Sequence, residues 1–362
     1  MNTNYTGLSL FTGAGGMDTG FEDAGVDVVW ANELVQAAAD TFSANHPQIK
    51  MVVGDITQHY GDLPDSEGKP IDIVFGGPPC QGFSVAGKMD PADPRSQMIF
   101  AFLDVVERVQ PQAFVMENVK ALGSLTKWSE VREKYLERVR SLGYSCEPFI
   151  CLATDFGVSQ KRERVFFIGI KGDLDFKEIY AKHLLDRQSK PKTVKELLSD
   201  LDPAGTGGNP LDCVAKITYA KKPVVRSTPW AGMYFNGAGR PIDLDGYANT
   251  LPASMGGNKT PIIDEDYLRG NSDEMWMVKF HEDIASGKIS SGTGEVPKRL
   301  RRLTIAEAAR IQTFPDDYIW KGGKSAVYKQ IGNAVPVKLA EAVAGALLDT
   351  LQKMDISPKR AS

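Results

Sequence analysis

Leu10-Phe11-Thr12-Gly13-Ala14-Gly15-Gly16-Met17 ends a short apolar run and opens an amphipathic one, so it reads as a strand, a glycine-rich turn and the start of a helix. Gly13, Gly15 and Gly16 let a ligand approach the backbone, and amides left free at a helix start can meet a carboxylate or phosphate. The same alternation continues to residue 170. Apolar runs at 8–11, 26–30, 71–75, 113–116 and 165–170 predict strands, and amphipathic stretches at 35–44, 98–109 and 129–142 predict helices, the last stopped by Gly143. Strands and helices in alternation predict an α/β fold with a mostly parallel sheet. Each predicted strand runs into a loop rich in Gly, Pro, Asn or Asp, and in open α/β sheets that carboxyl edge is where ligands bind.

Beyond this region the character changes. Over 171–299 glycine and proline become frequent and periodicity weakens, with 202–210 reading as a loop, so a second, irregular domain is expected. Regular pattern returns in 300–356: Thr304 can cap a helix carrying Glu307 at its third position, and 337–351 is alanine-rich. That segment is expected to return to the first domain, with the tail 357–362 frayed.

A chain of 362 residues, 42% hydrophobic and 24% charged, has the composition of a globular protein with one large and one smaller domain. The polar start at residues 1–5 lacks the regions of a signal peptide, and no run of about 18 apolar residues is evident, so the cytoplasm is expected and a membrane is not. Cys80, Cys146, Cys151 and Cys213 form no Cys-x-x-Cys pair and histidines number four, which indicates neither a disulfide framework nor a metal site. Lys and Arg number 14 against 22 acidic residues over 1–170, but 10 against 6 over 301–362. A nucleic-acid surface would therefore have to be local.

Carboxylates follow the predicted strand ends. Asp18 stands where a dinucleotide fingerprint needs glycine, and a pyrophosphate would meet its charge at the mouth of the loop, which argues against a nicotinamide or flavin cofactor. Glu33 can accept hydrogen bonds from both hydroxyls of a ribose. Asp55 can take an adenine amino group while Ile56 packs on the ring. The glycine turn, Glu33 and Asp55, three hits on successive strand ends, together favour a nucleoside-bearing ligand over isolated loop acids.

The chemistry concentrates in Phe75-Gly76-Gly77-Pro78-Pro79-Cys80-Gln81-Gly82-Phe83-Ser84. Two prolines stiffen the backbone before Cys80 and glycines flank it, presenting a thiol at the sheet edge. A thiol with an ordinary pKa of about 8.5 needs activation to attack at neutral pH. Val115-Met116-Glu117-Asn118-Val119 ends an apolar strand in a carboxylate, whose burial would let it donate a proton. In Gln160-Lys161-Arg162-Glu163-Arg164, Arg162 and Arg164 alternate and would project to one side.

In order and spacing, these segments resemble the cytosine carbon-5 DNA methyltransferases of bacterial modification systems, as do 302–316 and Gln330-Ile331-Gly332-Asn333-Ala334-Val335-Pro336. The resemblance covers 6–170 and 300–350; between them it is weak and holds chiefly at Asn249-Thr250-Leu251-Pro252 and Gly256-Gly257. It implies a Rossmann-like S-adenosylmethionine-dependent methyltransferase fold, with 1–170 catalytic and cofactor-binding, 171–299 recognising the target and 300–356 returning to the first. Cys80 would add to carbon 6 of a flipped-out cytosine, Glu117 would protonate or hydrogen-bond ring nitrogen 3, Arg164 would hold the base carbonyl and Glu117, and Arg162 would support the loop. S-adenosyl-L-methionine would be held by Phe11, Gly13, Gly15, Gly16, Glu33, Asp55, Ile56, Pro78, Asn333 and Val335.

The implied partner is double-stranded DNA, with Gln81, Ser84, Lys88 and Arg95 as candidate strand contacts and a cognate restriction endonuclease acting separately. Leu34 stands where relatives often place an aromatic against the adenine. Arg226, Arg240, Asn249, Ser254, Asn258 and Lys259 could read base edges. Two alternatives compete: a tRNA cytosine methyltransferase, against which Gly82 and Ser84 speak, and an inactive DNA-binding regulator, against which Cys80, Glu117 and Arg164 speak together.

Overall fold

Thr6–Leu10 (β1) is buried at all five residues, as a central strand covered on both faces must be. In the computed structural model, which describes residues 5–64, 70–79 and 97–359, it pairs in parallel with Asp27–Glu33 (β2) on one side. Beyond β2 lies Lys50–Val53 (β3). On the other side β1 pairs with Ile73–Gly76 (β4), and β4 with Ala113–Val119 (β5), both in parallel. Tyr144–Leu152 (β6) and Glu163–Lys171 (β7) complete a seven-stranded sheet in the order β3-β2-β1-β4-β5-β7-β6. β7 alone runs antiparallel, to both its neighbours. The sheet is thus the expected mostly parallel, Rossmann-like methyltransferase sheet.

The helices cover this sheet because their apolar residues fall on one stripe. In Met98–Val109, Ile99, Phe102, Leu103 and Val106 are all fully buried, the spacing of one helical face. They join Leu8, Leu10, Trp30, Phe114 and Phe167 in one core cluster. Phe21, on helix Gly16–Asp23, stacks on Phe75 with ring centroids 3.9 Å apart. At Gly20 on that helix a Cβ would lie 2.4 Å from the Val337 carbonyl oxygen, so glycine is what lets helix Val337–Lys353 pass so close.

The chain forms two units. The first holds residues 1–156, 163–189 and 335–362; the second holds 157–162 and 190–334. Residues 171–189 therefore go with the sheet and 300–334 with the second unit. The second unit has its own small core, where the antiparallel pair Tyr219–Val224 and Met233–Phe235 meets helix Trp276–Ala285 through Tyr219, Phe235, Trp276 and Phe280. Trp276 and Phe280 stack at 4.5 Å. Helix Ile305–Ile311 opens with the reciprocal cap expected of Thr304 and Glu307.

Two expectations are corrected. Residues 357–359 are tied down rather than frayed: the Ser357 carbonyl accepts from Gln112 Nε2 at 2.6 Å, and Lys359 Nζ donates to the Gln110 carbonyl at 2.6 Å. An apolar window long enough to cross a bilayer does exist within 324–353, but 72% of it is buried in protein. Its two helices, Lys324–Asn333 and Val337–Lys353, are separated by an extended Ala334 and by Pro336.

Candidate active site

Strand register aligns the chemistry. Leu10 pairs with Asn32 and Gly76, Gly76 with Met116, and Glu33 with Val53, so the residues that follow these positions all emerge at one carboxyl edge. Because β7 is antiparallel it begins at that edge, and Arg164, its second residue, lies opposite Val119.

Three features meet there. Glu117 is 9% exposed, and Arg164 Nε donates to its Oε1 at 2.7 Å. The carboxylate is thus both largely buried and paired with the guanidinium that the resemblance set beside it. At Gly77 a Cβ would lie 2.9 Å from Glu117 Oε2, so the turn into Pro78-Pro79 passes directly against the carboxylate. Asn118 Nδ2 donates to the Pro78 carbonyl at 3.3 Å, fastening the same turn from β5. Cys80, Gln81, Ser84, Lys88 and Arg95 lie outside the described residues.

Of the other thiols, Cys146 and Cys151 are held protonated by burial, the latter pushed up to about 12. Cys213 is buried in the second unit, its Sγ 3.4 Å from Thr260 Oγ1. Among the described residues no group of His, Cys, Asp and Glu is arranged to hold a metal.

The glycine turn adopts the conformations its sequence permits: Phe11, Gly13 and Gly15 have φ of 53°, 60° and 91°. Gly15 precedes the helix that begins at Gly16. Glu33 grips this turn. Its Oε2 accepts the Gly13 amide at 2.8 Å and its Oε1 the Val35 amide at 2.8 Å. Asp55 Oδ1 accepts the Thr57 amide at 3.0 Å and so caps a short helical turn. Ile56 is 1% exposed and sits in the core, so the apolar surface open at this edge belongs to Leu34, Val35 and Val53, which are 64%, 48% and 36% exposed.

Other expected residues are placed differently. Asp18 does not stand at the mouth of the loop: it is fully buried and accepts the Thr12 hydroxyl at 2.6 Å. Arg162 has partners of its own. Arg162, 1% exposed, donates to the carbonyls of Gly332 and Asn333 at 3.1 and 3.2 Å within the second unit. Val335 lies in the first unit, 7% exposed.

The sequence reading missed the roles of Asn32, Asn118 and Gln160. Asn32 Nδ2 donates to the carbonyls of Val52 and Gly54, both at 3.0 Å, holding the end of β3. Gln160 bonds Gln312 Oε1 through its Nε2 at 2.8 Å and accepts the Leu251 amide through its Oε1 at 2.9 Å. For Asn32 and Asn118 the available signal was a polar amide at the end of an apolar run, since a buried amide must find partners; Gln160, in a polar stretch, carried no such signal.

A profile of the C-5 cytosine-specific DNA methylase family matches residues 5–349. The Type II methyltransferase M1.HphI of Haemophilus parahaemolyticus is 32% identical over 357 residues, covering 95% of this chain and 87% of that protein. M.MthTI of Methanothermobacter thermautotrophicus, also a Type II methyltransferase, is 34% identical over 340 residues, covering 93% and 94%. The fold is shared with the Dnmt2 methyltransferase of S. pombe, at TM-score 0.63 and 17% identity over 97% of this chain and 100% of that one. It is shared too with the Entamoeba histolytica methyltransferase EhMeth, at TM-score 0.64 and 16% identity over 97% and 99%. With the site's geometry and a match running almost the whole chain, the protein belongs to the C-5 cytosine-specific DNA methylase family.

Proposed function

We propose that this DNA cytosine-5 methyltransferase takes its methyl group from S-adenosyl-L-methionine and modifies a flipped-out cytosine in a specific sequence of double-stranded DNA, with Cys80 as nucleophile. The observation that carries this reading is the Glu117–Arg164 pair, set against the Gly77-Pro78-Pro79 turn that leads into Cys80.

The glycine edge fits the cofactor. Positive-φ residues open the backbone, the Glu33 carboxylate stands beside them, and Leu34, Val35 and Val53 offer apolar surface to an adenine ring. When bound, S-adenosyl-L-methionine supplies an electrophilic methyl group on a sulfonium.

Carbon 5 of cytosine is a poor nucleophile until the ring is activated elsewhere. Cys80 thiolate adds to carbon 6, forming a carbon–sulfur bond and shifting electron density to carbon 5. Glu117 hydrogen-bonds ring nitrogen 3 and stabilises that density. Arg164 orients Glu117 and holds the base carbonyl. Once carbon 5 has taken the methyl group, with S-adenosyl-L-homocysteine as the leaving group, loss of the carbon-5 proton and expulsion of the Cys80 thiolate would restore the aromatic ring as 5-methylcytosine. Cys146, Cys151 and Cys213 are poor candidates for this role because each is shielded by burial or by a local partner.

The target base must leave the duplex, at a cost of a few kcal/mol that pocket contacts offset. Sequence choice is assigned to the second unit, which holds most of the segment free of catalytic motifs. The restriction-modification setting, with a separate cognate endonuclease and action in the cytoplasm, follows the Type II relatives. Bisulfite sequencing of DNA from cells expressing the protein tests the reading. Protected cytosines confined to one sequence motif are expected; methylation of tRNA with unmodified DNA would overturn it.

A further inference from the structure

Asp18 is the third residue of helix Gly16–Asp23 and 0% exposed. A carboxylate near a helix start ordinarily reaches the free amides or solvent. Asp18 instead turns back across the glycine turn and accepts the Thr12 hydroxyl at 2.6 Å. Burying a carboxylate is costly, and burial pushes its pKa up to about 6 against the pull of the Ser9 and Thr12 hydroxyls. Packing alone gives no reason for a charge there.

The turn it grips has an unusual backbone. Three of the five residues 11–15 have left-handed φ, and the helix that follows has no side-chain cap. The bonds that fasten the turn include the Thr12 amide to the Asn32 carbonyl at 3.1 Å, the Gly15 amide to the Thr12 carbonyl at 3.1 Å, the Thr19 amide and hydroxyl to the Gly15 carbonyl at 2.8 and 2.9 Å, the Gly13 amide to Glu33, and the Thr12 hydroxyl to Asp18. Glu33 and Asp18 hold adjacent residues of one turn from opposite ends.

We infer that Asp18 is a positioning residue for the cofactor: by anchoring Thr12 it holds the Gly13 amide on Glu33 and keeps that carboxylate aimed at the ribose. The inference rests on the proposal that this turn holds S-adenosyl-L-methionine. Asp18 touches no ligand itself and acts through Thr12.

Calorimetric titration of S-adenosyl-L-methionine into the full chain, with steady-state methylation and thermal unfolding alongside, tests it. Asp18→Ala and Thr12→Val should each weaken cofactor Kd and raise its KM about tenfold, the size of one lost hydrogen bond to a charged group. At saturating cofactor, kcat should stay within twofold. Asp18→Asn and Thr12→Ser keep the acceptor and the hydroxyl and should restore affinity to within about threefold. Should Asp18→Ala misfold, Thr12→Val, which leaves the carboxylate in place, carries the test. Folded Asp18→Ala or Thr12→Val protein with native affinity, or failure of Asp18→Asn to rescue, overturns the inference alone. Wild-type protein that binds no S-adenosyl-L-methionine overturns the site reading with it.

Discussion

Arg164 Nε stands 2.7 Å from Glu117 Oε1, joining the start of β7, the antiparallel strand of the seven-stranded sheet, to the end of its neighbour β5, with both side chains largely buried. Removing Arg164 takes the guanidinium away from a largely buried carboxylate. Arg164→Ala should therefore cost about 3 to 5 kcal/mol of stability. Chemical denaturation checks this. Glu117→Gln added to Arg164→Ala should recover part of the loss, because no charge then remains to be buried. A double variant no more stable than Arg164→Ala would show that the pair is not coupled.

Gly77 faces Glu117 so closely that a methyl group has no room without displacing the carboxylate. Gly77→Ala should lower the single-turnover methylation rate by roughly tenfold to hundredfold, the usual penalty for misplacing a reacting group by a fraction of an ångström to an ångström. Its melting temperature should change little. Unaltered turnover would place Glu117 away from the reacting base.

Asp18 gives stability a pH dependence. Its carboxyl is pushed up from 3.8 to about 6, so the folded state binds its proton more tightly than the unfolded state does. That contribution favours folding below pH 4, declines as pH rises from about 4 to 6, and is absent above 6, where the buried charge is carried as a penalty. Two pKa units correspond to roughly 3 kcal/mol as an upper bound. Asp18→Asn should match wild type near pH 4 and exceed it in urea midpoint at pH 7.5. Equal midpoints at both pH values would contradict the buried charge.

Glu33 holds the Gly13 amide and is assigned the ribose hydroxyls. Glu33→Ala should weaken S-adenosyl-L-methionine binding by about 1.5 to 3 kcal/mol, roughly tenfold to hundredfold. Calorimetry showing unchanged affinity would remove Glu33 from the cofactor site.

The parallel part of the sheet was legible because its strands are short apolar runs ending in turn residues, and the cap at Thr304 because Ser/Thr-x-x-Glu states its own hydrogen bonds. β3 and β6 were missed for physical reasons. β3 has four residues, none of them buried, and β6 carries Pro148, tolerable because it is an edge strand with β7 as its one neighbour in the sheet. The carboxylates at the strand ends were visible, but their directions were not. Asp18 and Glu33 read alike in sequence, and only the folded turn shows one facing inward to Thr12 and the other holding the Gly13 amide. Arg162 and Arg164 likewise alternate along the chain, yet the strand begins only at Glu163, and their guanidinium groups find partners in different units.

The central claim is covalent catalysis by Cys80, and DNA carrying 5-fluorocytosine at the target position tests it most directly. Fluorine leaves no proton at carbon 5 to be lost, so the thiolate that has added at carbon 6 cannot be expelled and the complex stalls. The account predicts a denaturation-resistant protein–DNA adduct that forms only with S-adenosyl-L-methionine and the correct sequence, with the link mapped to Cys80 by mass spectrometry. Cys80→Ala should lose both the adduct and methylation while keeping salt-dependent DNA binding, which phosphate contacts supply. Full methylation by Cys80→Ala, or an adduct on Cys146, Cys151 or Cys213, would contradict it.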